Sequence, residues 1–196
     1  EEKNAPILFA SDDTKPLYAS DLKGNYQEKN QFTARTAIDV LNKTSSFTVS
    51  EEQVQNGLLH VTKNTGLKGR WQQLNDSPLT ICDTAHNQQG LTAVIDQLLA
   101  IPHEQLHFIL GFVDDKEVDI ILELFPKEAT YTFCEPPIKR AMEADAVLAV
   151  AKKKGLNGTV IMDVNKALKQ VVEKVHPNDV VYVGGSTFVV AEIENL

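Results

Sequence analysis

The chain has 196 residues, a net charge of −8, and 42% hydrophobic against 23% charged residues, the composition of a folded globular protein with a substantial core. Its Lys and Arg residues are scattered rather than clustered, which argues against a phosphate-backbone partner, so a small-molecule ligand is expected and no nucleic acid. No apolar run reaches membrane-spanning length and no signal-peptide pattern opens the chain, so a cytoplasmic location without a membrane partner is expected.

The opening Glu1-Glu2-Lys3-Asn4 does not begin with Met and reads as the cut edge of a longer polypeptide. Ile7 to Phe9 and Leu17 to Tyr18 read as short strands, and Gln31 to Leu41 and Glu51 to Leu59 as helices, with no βαβ rhythm. This first third looks like the tail of a domain. Asn64 to Arg70 carries two glycines and little apolar content, so it is the linker candidate, with the boundary near Lys63. Arg70 stands there beside the single tryptophan, Trp71. A guanidinium at such a junction either reaches a phosphate held by a neighbouring domain or is simply solvated.

From Leu79 onward, apolar strand-like runs alternate with helical patterns, the signature of βαβ units and a doubly wound, mainly parallel α/β sheet. Five strands are expected, at Leu79 to Cys82, Leu106 to Gly111, Thr130 to Phe133, Thr159 to Met162 and Val180 to Val183. Apolar residues at helical spacing place helices over Leu91 to Leu99 and Val118 to Phe125. Ala141 to Lys154 follows with Gly155 as its C-terminal cap, then Lys166 to Val175 with Asn165 as its N-cap. After Gly184-Gly185-Ser186, Thr187 to Ile193 is ambiguous between strand and helix, and the tight turn with an N-capping serine favours a short helix. That turn either cradles an anion or is plain turn chemistry. Cys82 and Cys134, both in apolar runs, read as buried free thiols.

The chemistry-bearing stretch is Asp83-Thr84-Ala85-His86-Asn87-Gln88-Gln89-Gly90, between a buried strand and an amphipathic helix. Such a loop lies at the carboxyl edge of the sheet, where open α/β folds bind ligands. Asp83 either caps the following turn or takes part in chemistry. His86, in a polar loop with few apolar neighbours, is the stronger candidate, and Asn87 reads as a helix N-cap. The Asp83 and His86 pair lacks a third nearby ligand, so no dedicated metal site is expected. Asp114-Asp115-Lys116-Glu117 lies at the same edge but is also an ordinary polar helix start. There is no phosphate loop, no Gly-x-Gly-x-x-Gly, no Gly-x-Ser-x-Gly elbow and no Cys-x-x-Cys.

Asp83-x-Ala85-His86-Asn87 resembles the Asp-Gly-Ala-His-Asn-Pro signature of the folylpolyglutamate synthase and dihydrofolate synthase family. Gly69-Arg70 is similar to the Gly-Arg that opens that family's C-terminal domain, Asp115-Lys116 to its Asp-Lys, and Gly185-Ser186 with Glu192 to its closing helix. Upstream, Leu22-x-Gly24-x-x-Gln27-x-x-Asn30 resembles a segment near the end of the family's central ATPase domain. Thr84, Gln88, Tyr26 and Thr187 depart from the family's Gly, Pro, His and Leu.

The resemblance implies a Rossmann-like C-terminal domain shared with the muramyl ligases, over residues 71–196, after a 63–70 linker and a 1–62 remnant of the central ATP-binding domain. It implies Asn30, Arg70 and Asp83 as contacts to ATP and His86 near the reacting phosphate, with Asp83 and His86 as the catalytic pair. It implies ATP and Mg2+ as cofactors, held mainly by an N-terminal part of the same polypeptide, with L-glutamate and dihydropteroate or a folate as substrates. The implied reaction forms an amide through an acyl phosphate, and a fragment without the phosphate loop is expected to be inactive alone. A non-catalytic module for anionic metabolites and a muramyl-type cell-wall ligase are the alternatives.

Overall fold

The computed structural model describes residues 7–10, 16–114 and 117–196, and the chain divides into two units, Glu1–Leu67 and Lys68–Leu196. The first unit is helical: α1 (Gln27–Thr44), α2 (Glu51–Leu59) and α3 (Val61–Thr65). Ser50 opens α2 with a capping box, its hydroxyl accepting from Gln53 N–H while the Gln53 side chain accepts from Ser50 N–H. The carboxylate of Asp21 receives the Val61 and Thr62 N–H groups and the Thr62 hydroxyl. Burial opposes ionisation of Asp21, but these hydrogen bonds, Thr62's first, hold it below the usual carboxylate range.

Two expectations fail in this unit. Ile7 to Phe9 and Leu17 to Tyr18 are not strands. Tyr18 instead exchanges two hydrogen bonds with the side-chain amide of buried Gln31, at 2.6 and 3.0 Å, so an α1 side chain does the work of a ladder partner. Buried Arg35 on the same helix donates to Pro16 O at 2.7 Å and lies over the Tyr18 ring at 4.2 Å. Within the expected 63–70 linker, α3 runs to Thr65 and the two units part between Leu67 and Lys68.

The second unit is a six-stranded sheet: β1 (Gln72–Asp76), β2 (Leu79–Cys82), β3 (Leu106–Leu110), β4 (Thr130–Phe133), β5 (Gly158–Val160) and β6 (Val180–Gly184). The order is β1-β2-β6-β3-β4-β5, and every neighbouring pair is parallel except the β1–β2 hairpin. The five expected strands are present, and β1 is an additional one. Its sequence, Gln-Gln-Leu-Asn-Asp, has no apolar alternation, so only pairing with β2 makes it a strand.

The connecting helices are α4 (Gln88–Leu99), α5 (Val118–Leu122), α6 (Ala144–Lys153), α7 (Val164–Val172) and α8 (Thr187–Ala191). The Thr187 segment is therefore a helix, capped by the buried Ser186 hydroxyl, which accepts from Phe188 and Val189 N–H. The N-cap of α7 is Asp163, not Asn165: its Oδ1 accepts from Lys166 N–H at 2.7 Å. Asn165 lies inside the helix and bonds outward, donating to Glu192 O and accepting from Glu194 N–H.

Period-two alternation puts the two faces of the sheet into different cores. Cys82, Ile109, Val181 and Val183 pack against Val164 and Ala167 of α7 and Val189 and Val190 of α8. On the opposite face, Phe108, Tyr131 and Tyr182 form an aromatic cluster with Phe125, just beyond α5. This is the doubly wound α/β arrangement. Cys82 and Cys134 are free, and burial, with the neighbouring charges of Asp83 and Asp163 respectively, pushes each thiol up to about 12, so both behave as small core hydrophobes.

Candidate active site

After β2 the chain crosses β6 to reach β3 and then runs outward through β4 and β5. The order reverses around β2, β6 and β3, and the carboxyl ends of strands at such a reversal form a ligand crevice. Three segments meet there. β2 runs into Asp83, β6 into Gly184-Gly185-Ser186, and β3 into Gly111, whose N–H donates to Gly184 O at 3.2 Å. A Cβ on Gly184 would stand 2.8 Å from Asp83 O, so the β6 terminus reaches the Asp83 loop only because it carries no side chain.

Asp83 has no exposed surface. Its Oδ1 accepts from Ala85 N–H at 2.8 Å and its Oδ2 from Trp71 N–H at 2.7 Å, while its own carbonyl receives the Tyr182 hydroxyl at 3.2 Å. The carboxylate therefore caps its own loop and also fastens the segment before β1. Trp71 sits at φ 52, a left-handed conformation that costs a bulky residue about 1–2 kcal/mol. The charge-assisted bond from its N–H, worth about 1.5–3 kcal/mol, is of the size needed to offset that cost.

Arg70 projects from the same turn and is exposed. The turn is closed on both sides: Gly69 N–H donates to Gln72 Oε1 at 2.8 Å, and Thr84 N–H donates to Gly69 O at 2.9 Å. Gly69 is buried at φ 68, and a Cβ there would meet Val190 Cγ1 at 2.7 Å and Thr84 Cγ2 at 2.9 Å. Thr84 itself keeps an ordinary negative φ, so the threonine that departs from the signature glycine fits because Gly69 leaves room for its methyl group.

His86 is exposed, and its Nδ1 lies 3.0 Å from Thr84 O. A carbonyl only accepts, so Nδ1 carries the hydrogen and Nε2 is the nitrogen left for a ligand. Asn87 caps α4, its Oδ1 accepting from Gly90 N–H at 2.8 Å. Arg70, Asp83 and His86 are thus built into one assembly, two members presenting side chains outward and one holding the backbone beneath them. Asn30 belongs to the first unit, where it is exposed on α1 and donates to Gln27 Oε1 at 2.8 Å. Asp115 and Lys116 lie outside the described residues. The residue that sequence reading missed is Gln72, and no signal in the sequence distinguishes it from any other polar strand residue.

Among the described residues there is no group of three or more His, Cys, Asp or Glu suited to a metal ion, and no helix is long and apolar enough to cross a membrane.

Residues 69–187 match the model of the Mur ligase glutamate ligase domain. The "Probable bifunctional folylpolyglutamate synthase/dihydropteroate synthase" of Halobacterium salinarum is 27% identical over 190 residues, covering 96% of this chain but 22% of that protein. E. coli FolC in complex with ADP superposes with a TM-score of 0.70 at 23% identity, over 90% of this chain and 39% of that one. The bifunctional folylpolyglutamate synthase/dihydrofolate synthase with Mn, AMPPNP and L-glutamate bound gives 0.69 at 23% identity, over 91% and 40%. At that identity the superpositions establish the fold.

Proposed function

The chain belongs to the Mur ligase glutamate ligase domain family, and on that premise we propose that it is the C-terminal part of an ATP-dependent ligase joining L-glutamate to dihydropteroate or a folate. The observation that carries the reading is the built turn around Arg70, locked by Asp83 to the loop that presents His86. On this reading residues 1–62 are the remnant of a central ATP-binding domain, 63–70 the linker and 71–196 the glutamate ligase domain, acting in the cytoplasm.

ATP supplies the phosphoryl group that activates the substrate carboxylate. An exposed guanidinium on a rigid turn suits its phosphate oxygens, and His86, with Nδ1–H held by Thr84 O, donates to the same oxygens from Nε2 in its doubly protonated form. Asp83 acts as a positioning residue, since a direct contact to nucleotide requires its bond to Trp71 to open. Asn30 supplies a further amide contact to nucleotide. Among the described residues no group of three or more His, Cys, Asp or Glu is placed to hold a metal ion, and the magnesium ligands are assigned mainly to the N-terminal part of the ligase. Glutamate's amine then attacks the acyl carbon of the acyl phosphate, forming the amide bond as the carbon–oxygen bond to phosphate breaks and inorganic phosphate leaves.

Reading the gene upstream for an ATPase domain and assaying the parent protein with dihydropteroate, a folate and a cell-wall precursor tests the reading. Glutamate incorporation into the pteridine substrates by the parent, and none by this chain alone, is expected. Turnover by the chain alone would overturn the claim of incompleteness, and turnover of the cell-wall precursor would move the assignment to a muramyl-type ligase. In the parent, Arg70→Ala and His86→Ala are each expected to lower kcat about 100-fold. Asp83→Asn should lower it comparably yet add little to Arg70→Ala in the double variant; full additivity would show that Asp83 acts independently of the Arg70 turn.

A further inference from the structure

On the β1 side of the sheet, a groove of about 670 Å3 runs between the β1 hairpin, α7 and the segment after α8. That volume lies in the range of sites for small organic ligands. Its apolar lining comes from Leu74, Leu168, Val172 and Ile193, all part of the core packed on this face of the sheet. Its cationic lining comes from Lys166 and Lys169, three residues apart and so on one side of α7. Among the described residues Lys166 makes no side-chain ion pair, and Lys169 pairs with Glu173 at 4.0 Å with both side chains exposed, a pairing worth little. Gln72 also lines the groove: its Oε1 accepts from Gly69 N–H, which leaves its Nε2 as a further donor. The remaining acidic groups on the lining are Asp163, one oxygen of which accepts from Lys166 N–H, and Glu194.

We propose that this groove is a binding site for a small monocarboxylate with an apolar body. The carboxylate pairs with Lys166 and Lys169, and the body lies on Leu74, Leu168 and Val172. Glu194 disfavours a second carboxylate on the ligand, which separates this site chemically from one for a dicarboxylic amino acid. The proposal stands apart from the ligase reading.

The test titrates the 196-residue chain with 3-phenylpropionate, its neutral amide and 3-phenylpropylamine, following Lys166, Lys169 and the Leu168 and Val172 methyl groups by NMR. Saturable millimolar binding of the acid is expected, weakened about tenfold in the amide and in the exposed-residue variant Lys166→Glu/Lys169→Glu. Absence of saturable shifts, binding of the amide or amine as tight as the acid, or unchanged binding in the double variant would overturn it.

Discussion

At the scale of single residues, the assembly rests on backbone conformation as much as on charge. Gly69→Ala places a methyl group at φ 68 against Val190 and Thr84, so a loss of about 1–3 kcal/mol is expected in chemical denaturation followed by Trp71 fluorescence. The same probe reads the local turn, because Trp71 is the sole tryptophan. Asp83 shows why a residue's role is only half legible in sequence. Its position after a buried strand points equally to capping and to chemistry, and the fold makes it a cap that braces a second segment twelve residues earlier. Nothing in a linear sequence says that Trp71 N–H will arrive at Oδ2, since that bond depends on β1 folding back antiparallel on β2.

At the scale of elements, period-two and helical spacing locate the parallel strands and α4 well, because burial on both faces of a sheet leaves dense apolar runs. The start of α7 illustrates the limit. Asp163 and Asn165 are both good capping residues two positions apart, and only the three-dimensional fold decides that Asn165 faces the segment after α8 instead. Asp163→Ala is therefore expected to cost about 1 kcal/mol through the helix start, seen in the thermal midpoint. Asn165→Ala should release the C-terminal segment, with faster hydrogen exchange at Glu194 N–H as its distinguishing sign. If Asn165→Ala leaves that exchange unchanged, the tie is not limiting.

At the scale of the whole second unit, the amino ends of three neighbouring parallel strands are tied by side chains. Asp179, just before β6, accepts from His107 Nε2 of β3 at 3.1 Å, and His107 Nδ1 meets Thr130 Oγ1 of β4 at 2.6 Å. Asp179 also accepts from His176 N–H at 2.7 Å and Gln105 N–H at 3.1 Å. Burial works against its ionisation, yet the hydrogen bonds from His176 and His107 hold it below the ordinary 3.8. A folded value below the unfolded one means stabilisation that is present above the unfolded value and lost as pH falls through the folded one. Stability is thus expected to fall steeply below about pH 4, and Asp179→Asn should be less stable at neutral pH with a shallower acid slope in denaturation measured across that range. An unchanged slope would move the acid sensitivity to other carboxylates, with Asp21 of the first unit the next to examine.

The sequence by itself determined the class of the fold, the places of five strands, and the cluster from Asp83 to Gly90, because burial pattern and side-chain chemistry are local properties of the chain. Only the tertiary structure decided that polar Gln72–Asp76 is a strand, that Gln31 stands in for a strand beside Tyr18, and that Asp83 fastens the Arg70 turn. Each of these depends on a backbone group meeting a partner distant along the chain, and hydrogen-bond complementarity of that kind exists only once the chain has folded.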